Sequence, residues 1–119
     1  MMLIKELSTI QAMEQKAGKG VSMKMLIGSE EANNFLMRQF TIKAGGHMPL
    51  HTNSVEHEQF VLKGRAKVTV GDKVFEAKEG DILYIPEAIP HMYETIGDED
   101  YEFLCLVPKK EDLINIVSC

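Results

Sequence analysis

The hydrophobic positions of this chain fall into a rhythm of two from Val21 onward. Val21, Met23, Met25 and Ile27 alternate with Ser22 and Lys24. Such alternation is the mark of a β-strand, whose successive side chains point to opposite faces. Residues 28–34 are polar and read as a turn, and residues 35–43 read as a second strand. Residues 44–49 hold two glycines and a proline and are predicted to be a loop. Beyond them the punctuation becomes regular. Strands are predicted over residues 57–63, 65–70, 73–77, 82–85, 91–96 and 101–107, each followed by a glycine turn or a proline. Many short strands with turn signals between them predict an all-β sandwich or small barrel. Upstream, residues 8–16 have the composition of one short helix, ended by Gly18-Lys19-Gly20. The expected organisation is an N-terminal arm over residues 1–20 and a single domain over residues 21–119. The tail, residues 109–119, is compatible with a helical turn or with a mobile end. The chain contains neither an internal repeat nor a low-complexity tract.

Composition narrows the function classes. The 119 residues fit one domain, and 45% hydrophobic residues suffice for one modest core. The formal charge is −5 and the basic residues are interleaved with acidic ones, which argues against a nucleic-acid partner. No apolar run is long enough to span a bilayer, and Lys5 and Glu6 interrupt the N-terminus too early for a secretory segment. A soluble, cytoplasmic protein with no membrane partner is expected. Cys105 lies in an apolar run and Cys119 is the last residue, a spacing that suits neither a metal knuckle nor a redox pair. The expectation is a buried core thiol and a frayed terminal one. The eight methionines are expected to be core filler rather than copper ligands.

Four histidines remain: His47, His51, His57 and His91. Positions that differ by an even number share a strand face, so His51, Asn53 and His57 point the same way if that stretch is extended. A separation of six would put His51 and His57 on different sides of a helix. His91 comes from a distant strand. Convergence of ligands from separate rigid segments is what a metal site needs. On spacing alone, three scattered histidines with no metal is the favoured reading, because any barrel protein can carry scattered histidines. His47 is expected to be exposed and not a ligand.

Residues 45–64 and 80–95 resemble the two sequence motifs of the cupin superfamily. The first motif is a glycine, five residues, His-x-His, three or four residues, Glu, six residues and a glycine. Here Gly45 is followed by five residues, then His51, Thr52 and Asn53, then three residues to His57, and six more to Gly64. The second motif is a glycine, five residues, Pro-x-Gly, two residues, His, three residues and Asn. Here it runs from Gly80 through Pro86, Glu87 and Ala88 to His91 and Thr95. The resemblance is strongest to small single-domain bacterial and archaeal members. It implies a jelly-roll β-barrel (a double-stranded β-helix) and, often, a homodimer that exchanges N-terminal strands. It also implies one divalent transition metal (Mn, Fe, Ni, Cu or Zn) held by His51, His57 and His91. The chain departs from the pattern where Asn53 replaces the second histidine, His57 the glutamate, Ala88 a glycine and Thr95 the asparagine. Asn53 stands at the fourth ligand's place, as a direct ligand, as a ligand through water, or leaving the position open.

Three imidazoles and an amide carry no charge, so a divalent ion there would keep its own and favour an anionic or chelating small molecule. Strand parity puts Gln59 and Val61 on His57's face and Tyr93 on His91's face. Met48 and His47 precede the site. Tyr93 is the candidate catalytic side chain, as proton donor or anion orienter, or else a core aromatic with a satisfied hydroxyl. Glu56 and Glu58 are expected to point away into solvent. Phe60 and Leu62 fall on the outer face and call for a covering subunit. Three functions follow: a metal-dependent enzyme of dioxygenase or isomerase type acting on a small oxygenated or anionic molecule, a non-catalytic small-molecule binding or sensor module, and a metal-free epimerase-like enzyme.

Overall fold

A computed structural model of the chain describes residues 2–110 and 114–116. Ten strands form one curled sheet: β1 Met13–Glu14, β2 Lys19–Ile27, β3 Phe35–Thr52, β4 His57–Lys63, β5 Arg65–Val70, β6 Lys73–Lys78, β7 Ile82–Ile85, β8 His91–Ile96, β9 Tyr101–Pro108 and β10 Asn115–Ile116. The only helical element among the described residues is a 3-10 turn at Leu7–Thr9. None of these residues forms a helix long and apolar enough to cross a membrane. The strand bounds read from the sequence for β4, β5, β7 and β8 are those observed. Those segments carry their own signals, alternation inside and a glycine or proline outside.

Two expectations fail, both because tertiary pairing outweighs local propensity. Residues 44–49 are not a loop. They continue β3, which pairs with β9 over Phe35–Ile42 and with β8 between His47 and His51. β3 is therefore the strand that passes from one side of the barrel to the other. Its glycines make the passage possible. Between Ile42 and His47, β3 carries extra residues that β2 does not match, and a Cβ on Gly46 would overlap the carbonyl oxygens of Lys19 and Lys43. The helix expected over residues 8–16 is also absent. A nine-residue helix is marginal in water, whereas β2 offers an open edge on which Met13 pairs opposite Met23 and Glu14 opposite Ser22. The tail contributes β10, with Ile116 opposite His51 and Asn115 opposite Thr52. Cys119 lies outside the described residues.

The core sits inside the curl and follows strand parity. In β4, His57, Gln59 and Val61 are buried, while Glu58 and Phe60 are exposed. In β9, Tyr101, Phe103, Cys105 and Val107 are buried. Tyr93, Tyr101 and Phe103 stack in the centre, with ring centroids 5.4–6.4 Å apart. Gly64 ends β4 at φ 81°, and any side chain there would strike the Asp100 carbonyl.

Candidate metal centre

Parity and register bring the four sequence candidates to one place. His51 and His91 are direct register partners across β3 and β8. His57 opens β4 opposite Ile85 of β7. Asn53 lies just past the end of β3, where its carbonyl accepts the Ala88 N–H at 2.7 Å. Ala88, at the position of a motif glycine, has φ 64°, in the region that glycine adopts without strain. His51, Asn53, His57 and His91 are all buried and line one cavity of about 620 Å3, its open mouth included. Ring centroids are 4.2 Å apart for His51 and His91 and 5.7 Å apart for His57 and His91, so His91 is the middle of the three.

Each ring is held from behind. The Pro49 carbonyl is 2.7 Å from His51 Nδ1, and the Ile89 carbonyl is 2.9 Å from His91 Nδ1. A carbonyl oxygen only accepts, so Nδ1 carries the proton in both rings and Nε2 carries the lone pair. His57 Nδ1 is instead 3.3 Å from Cys105 Sγ. Among the described residues, the buried Nε2 atoms of His57 and His91 have no hydrogen-bond partner. Burial holds both histidines neutral: it is the main cause that lowers His57 to about 3, helped by the charge of Arg38, and His91 to about 4. A neutral imidazole, tied back through Nδ1 and presenting an unpaired Nε2 to a cavity, fits a metal ligand in its donor chemistry. The geometry is less finished than the chemistry. As placed, no three His, Cys, Asp or Glu side chains among the described residues are gathered closely enough to hold one ion.

Other sequence candidates fall where parity put them. Tyr93 is fully buried in the cavity wall, and its hydroxyl accepts a hydrogen bond from Gln59 Nε2 at 2.8 Å. Burial pushes the Tyr93 hydroxyl well above its ordinary range, so it keeps its proton. His47 is exposed, and neither Glu56 nor Glu58 faces the cavity. Cys105 is buried as expected, but it is not chemically isolated: His57 and Arg38 both contact its sulfur, Arg38 Nη2 donating at 3.3 Å. Arg38 and Phe40 also line the cavity and were not among the sequence candidates. Their signal was present, since they share the parity of Leu36 and Ile42 in the same strand.

Comparison with known proteins agrees with this architecture. A family model described as the cupin domain matches residues 38–107. The 1-methylthio-D-xylulose 5-phosphate methylsulfurylase of Rhodospirillum rubrum is 33% identical over 76 residues, 64% of this chain and 49% of that protein. Oxalate decarboxylase of Bacillus subtilis is 36% identical over 70 residues, 54% of this chain but 18% of that protein. The chain thus spans half or less of either relative. The structure of the polyketide cyclase RemF from Streptomyces resistomycificus superposes with a TM-score of 0.91 over 100% of this chain and 87% of that one, at 24% identity. That likeness shows the jelly-roll fold.

Proposed function

This chain belongs to the cupin domain family, and from that premise we propose that it binds one divalent transition metal through His51, His57 and His91 and acts on a small oxygenated organic molecule. The observation that carries the reading is the pair of buried Nε2 atoms on His57 and His91, unpartnered among the described residues, beside a third imidazole, His51, tied back through a backbone carbonyl as His91 is. Leaving such atoms unpaired costs free energy unless a ligand uses them. A metal held there would supply Lewis acidity toward a ligand oxygen. The protein's own residues do the rest. The Pro49 and Ile89 carbonyls fix the tautomers of His51 and His91. Asn53 completes or flanks the ligand set. Gln59 donates to the Tyr93 oxygen, which leaves the tyrosine proton free to meet a ligand oxygen. This arrangement suits chemistry of the dioxygenase or isomerase type.

The test is elemental mass spectrometry of the purified protein after incubation with manganese, iron, nickel, copper and zinc in turn. About one tightly held ion per chain is expected, lost in His57→Ala. Failure to retain any of the five would overturn the metal reading. A second reading, a non-catalytic small-molecule binding module, is favoured by the three imidazoles not being gathered around a common point. It would stand if the protein holds no metal yet still binds ligand in the cavity.

The outer face supports a homodimer. Phe60, Ile82, Tyr84 and Leu106 are exposed side by side on β4, β7 and β9. Apart from the exposed Glu58, which lies between Tyr84 and Leu106, this face is apolar, and such a face is what a two-fold interface between identical chains covers.

A further inference from the structure

The cavity has a sign of its own. The protein carries a formal charge of −5, yet among the described residues no Asp or Glu lines the cavity, and one guanidinium does. Arg38 stands on the inward parity of β3, in a cross-strand row with Cys105 of β9 and Gln59 of β4. None of the ion pairs among the described residues involves Arg38. Its contacts are a thiol at 3.3 Å and the ring of Phe40, whose centroid is 5.0 Å from the guanidinium carbon. Its Nε is buried and has no hydrogen-bond partner among the described residues. In the same row, Gln59 Oε1 is buried without a hydrogen-bond partner among the described residues. A guanidinium with an orphaned N–H, turned toward a cavity, lacks the planar anion that its fork of donors is built to take.

We infer that Arg38 is the anion anchor of this cavity and that its ligand is a carboxylic acid with an apolar body. The inference rests on the cavity being the ligand site, as proposed above, and adds the charge and orientation of the ligand. The carboxylate meets Arg38. The apolar body lies along Phe40, Met23, Met48 and Phe103, which line the same cavity. Any second oxygen of the ligand is then directed to the imidazole end, since Cys105 Sγ is within 3.3 Å of both Arg38 Nη2 and His57 Nδ1.

The experiment uses metal-stripped protein, so that its outcome is independent of the metal reading. Benzoate and its neutral isostere benzamide are titrated and followed by NMR chemical shifts. Benzoate is expected to bind roughly tenfold or more tightly than benzamide, as a charge-assisted hydrogen bond would give. The preference should vanish in Arg38→Met and survive in part in Arg38→Lys. Metal content of the same variants is measured alongside, and retention of metal with loss of the benzoate preference separates the anchor from the metal site. If Arg38→Met does not fold, Arg38→Gln carries the same test. Equal binding of the two probes, a preference that persists without Arg38, or no binding of either at millimolar concentration would each overturn the inference.

Discussion

Strand β7 holds the same residue on both faces of the sheet. Ile82 is 79% exposed and Ile85, three positions later, is 1% exposed. Ile85 faces inward opposite His57, and Ile82 faces outward opposite Phe60. The neighbouring strands repeat the split: His57 and Gln59 inside β4, Phe60 outside; Cys105 inside β9, Leu106 outside. One short sheet thus carries two kinds of surface. The inner one combines apolar packing with a few polar atoms left unpaired, and the outer one is apolar and exposed. The difference teaches that period two does more than bury a core. It sorts ligand chemistry to one side and association to the other.

The comparison makes three predictions. The largest effect is on stability. Ile85→Ala should cost about 2–5 kcal/mol of unfolding free energy, and Ile82→Ala should stay within about 0.5 kcal/mol in the monomer. Chemical denaturation at low protein concentration measures both, and equal costs would erase the distinction between the faces. The next effect is acid lability of the metal-free protein. Folded His57 and His91 are lowered to about 3 and about 4 by burial, with Arg38 and His51 adding repulsion, while unfolded histidine titrates near 6.5. The unfolded state therefore takes up protons first. Stability should be full above pH 6.5 and fall steadily as pH drops toward 4. His57→Gln should flatten that slope, and a slope unchanged in the variant would show that His57 is not buried neutral. The smallest effect on the fold is expected outside. Phe60→Lys with Ile82→Lys should leave the melting transition nearly unmoved but convert a dimer to a monomer in sedimentation. A wild type that is monomeric at every concentration would remove the outer face's role.

Much of this was legible in the chain because barrel strands are short and locally punctuated. His57, Gln59 and Val61 share a face by parity alone, and so do His91 and Tyr93. The continuity of β3 was not legible. Gly45, Gly46 and Pro49 signal a loop locally, and only the partners β8 and β9 hold that backbone extended. Arg38 was overlooked for a related reason: a lone arginine in an alternating strand reads as solvated until the strand's inward face is known. Cys105 read as inert because its contact with His57 spans 48 positions of sequence.

By itself, then, the sequence determined the all-β class, most strand limits, the inward parity of the histidines and the family to which the motifs point. These are local properties, set by side-chain alternation and by glycine and proline. Tertiary structure alone decided that β3 crosses the barrel and that three imidazoles share a cavity with the Arg38 guanidinium, which has no ion-pair partner among the described residues. It also decided that His57 is held by a thiol where His51 and His91 are held by backbone carbonyls. Those facts depend on which strands lie side by side, and strand pairing is a long-range choice that no single segment encodes.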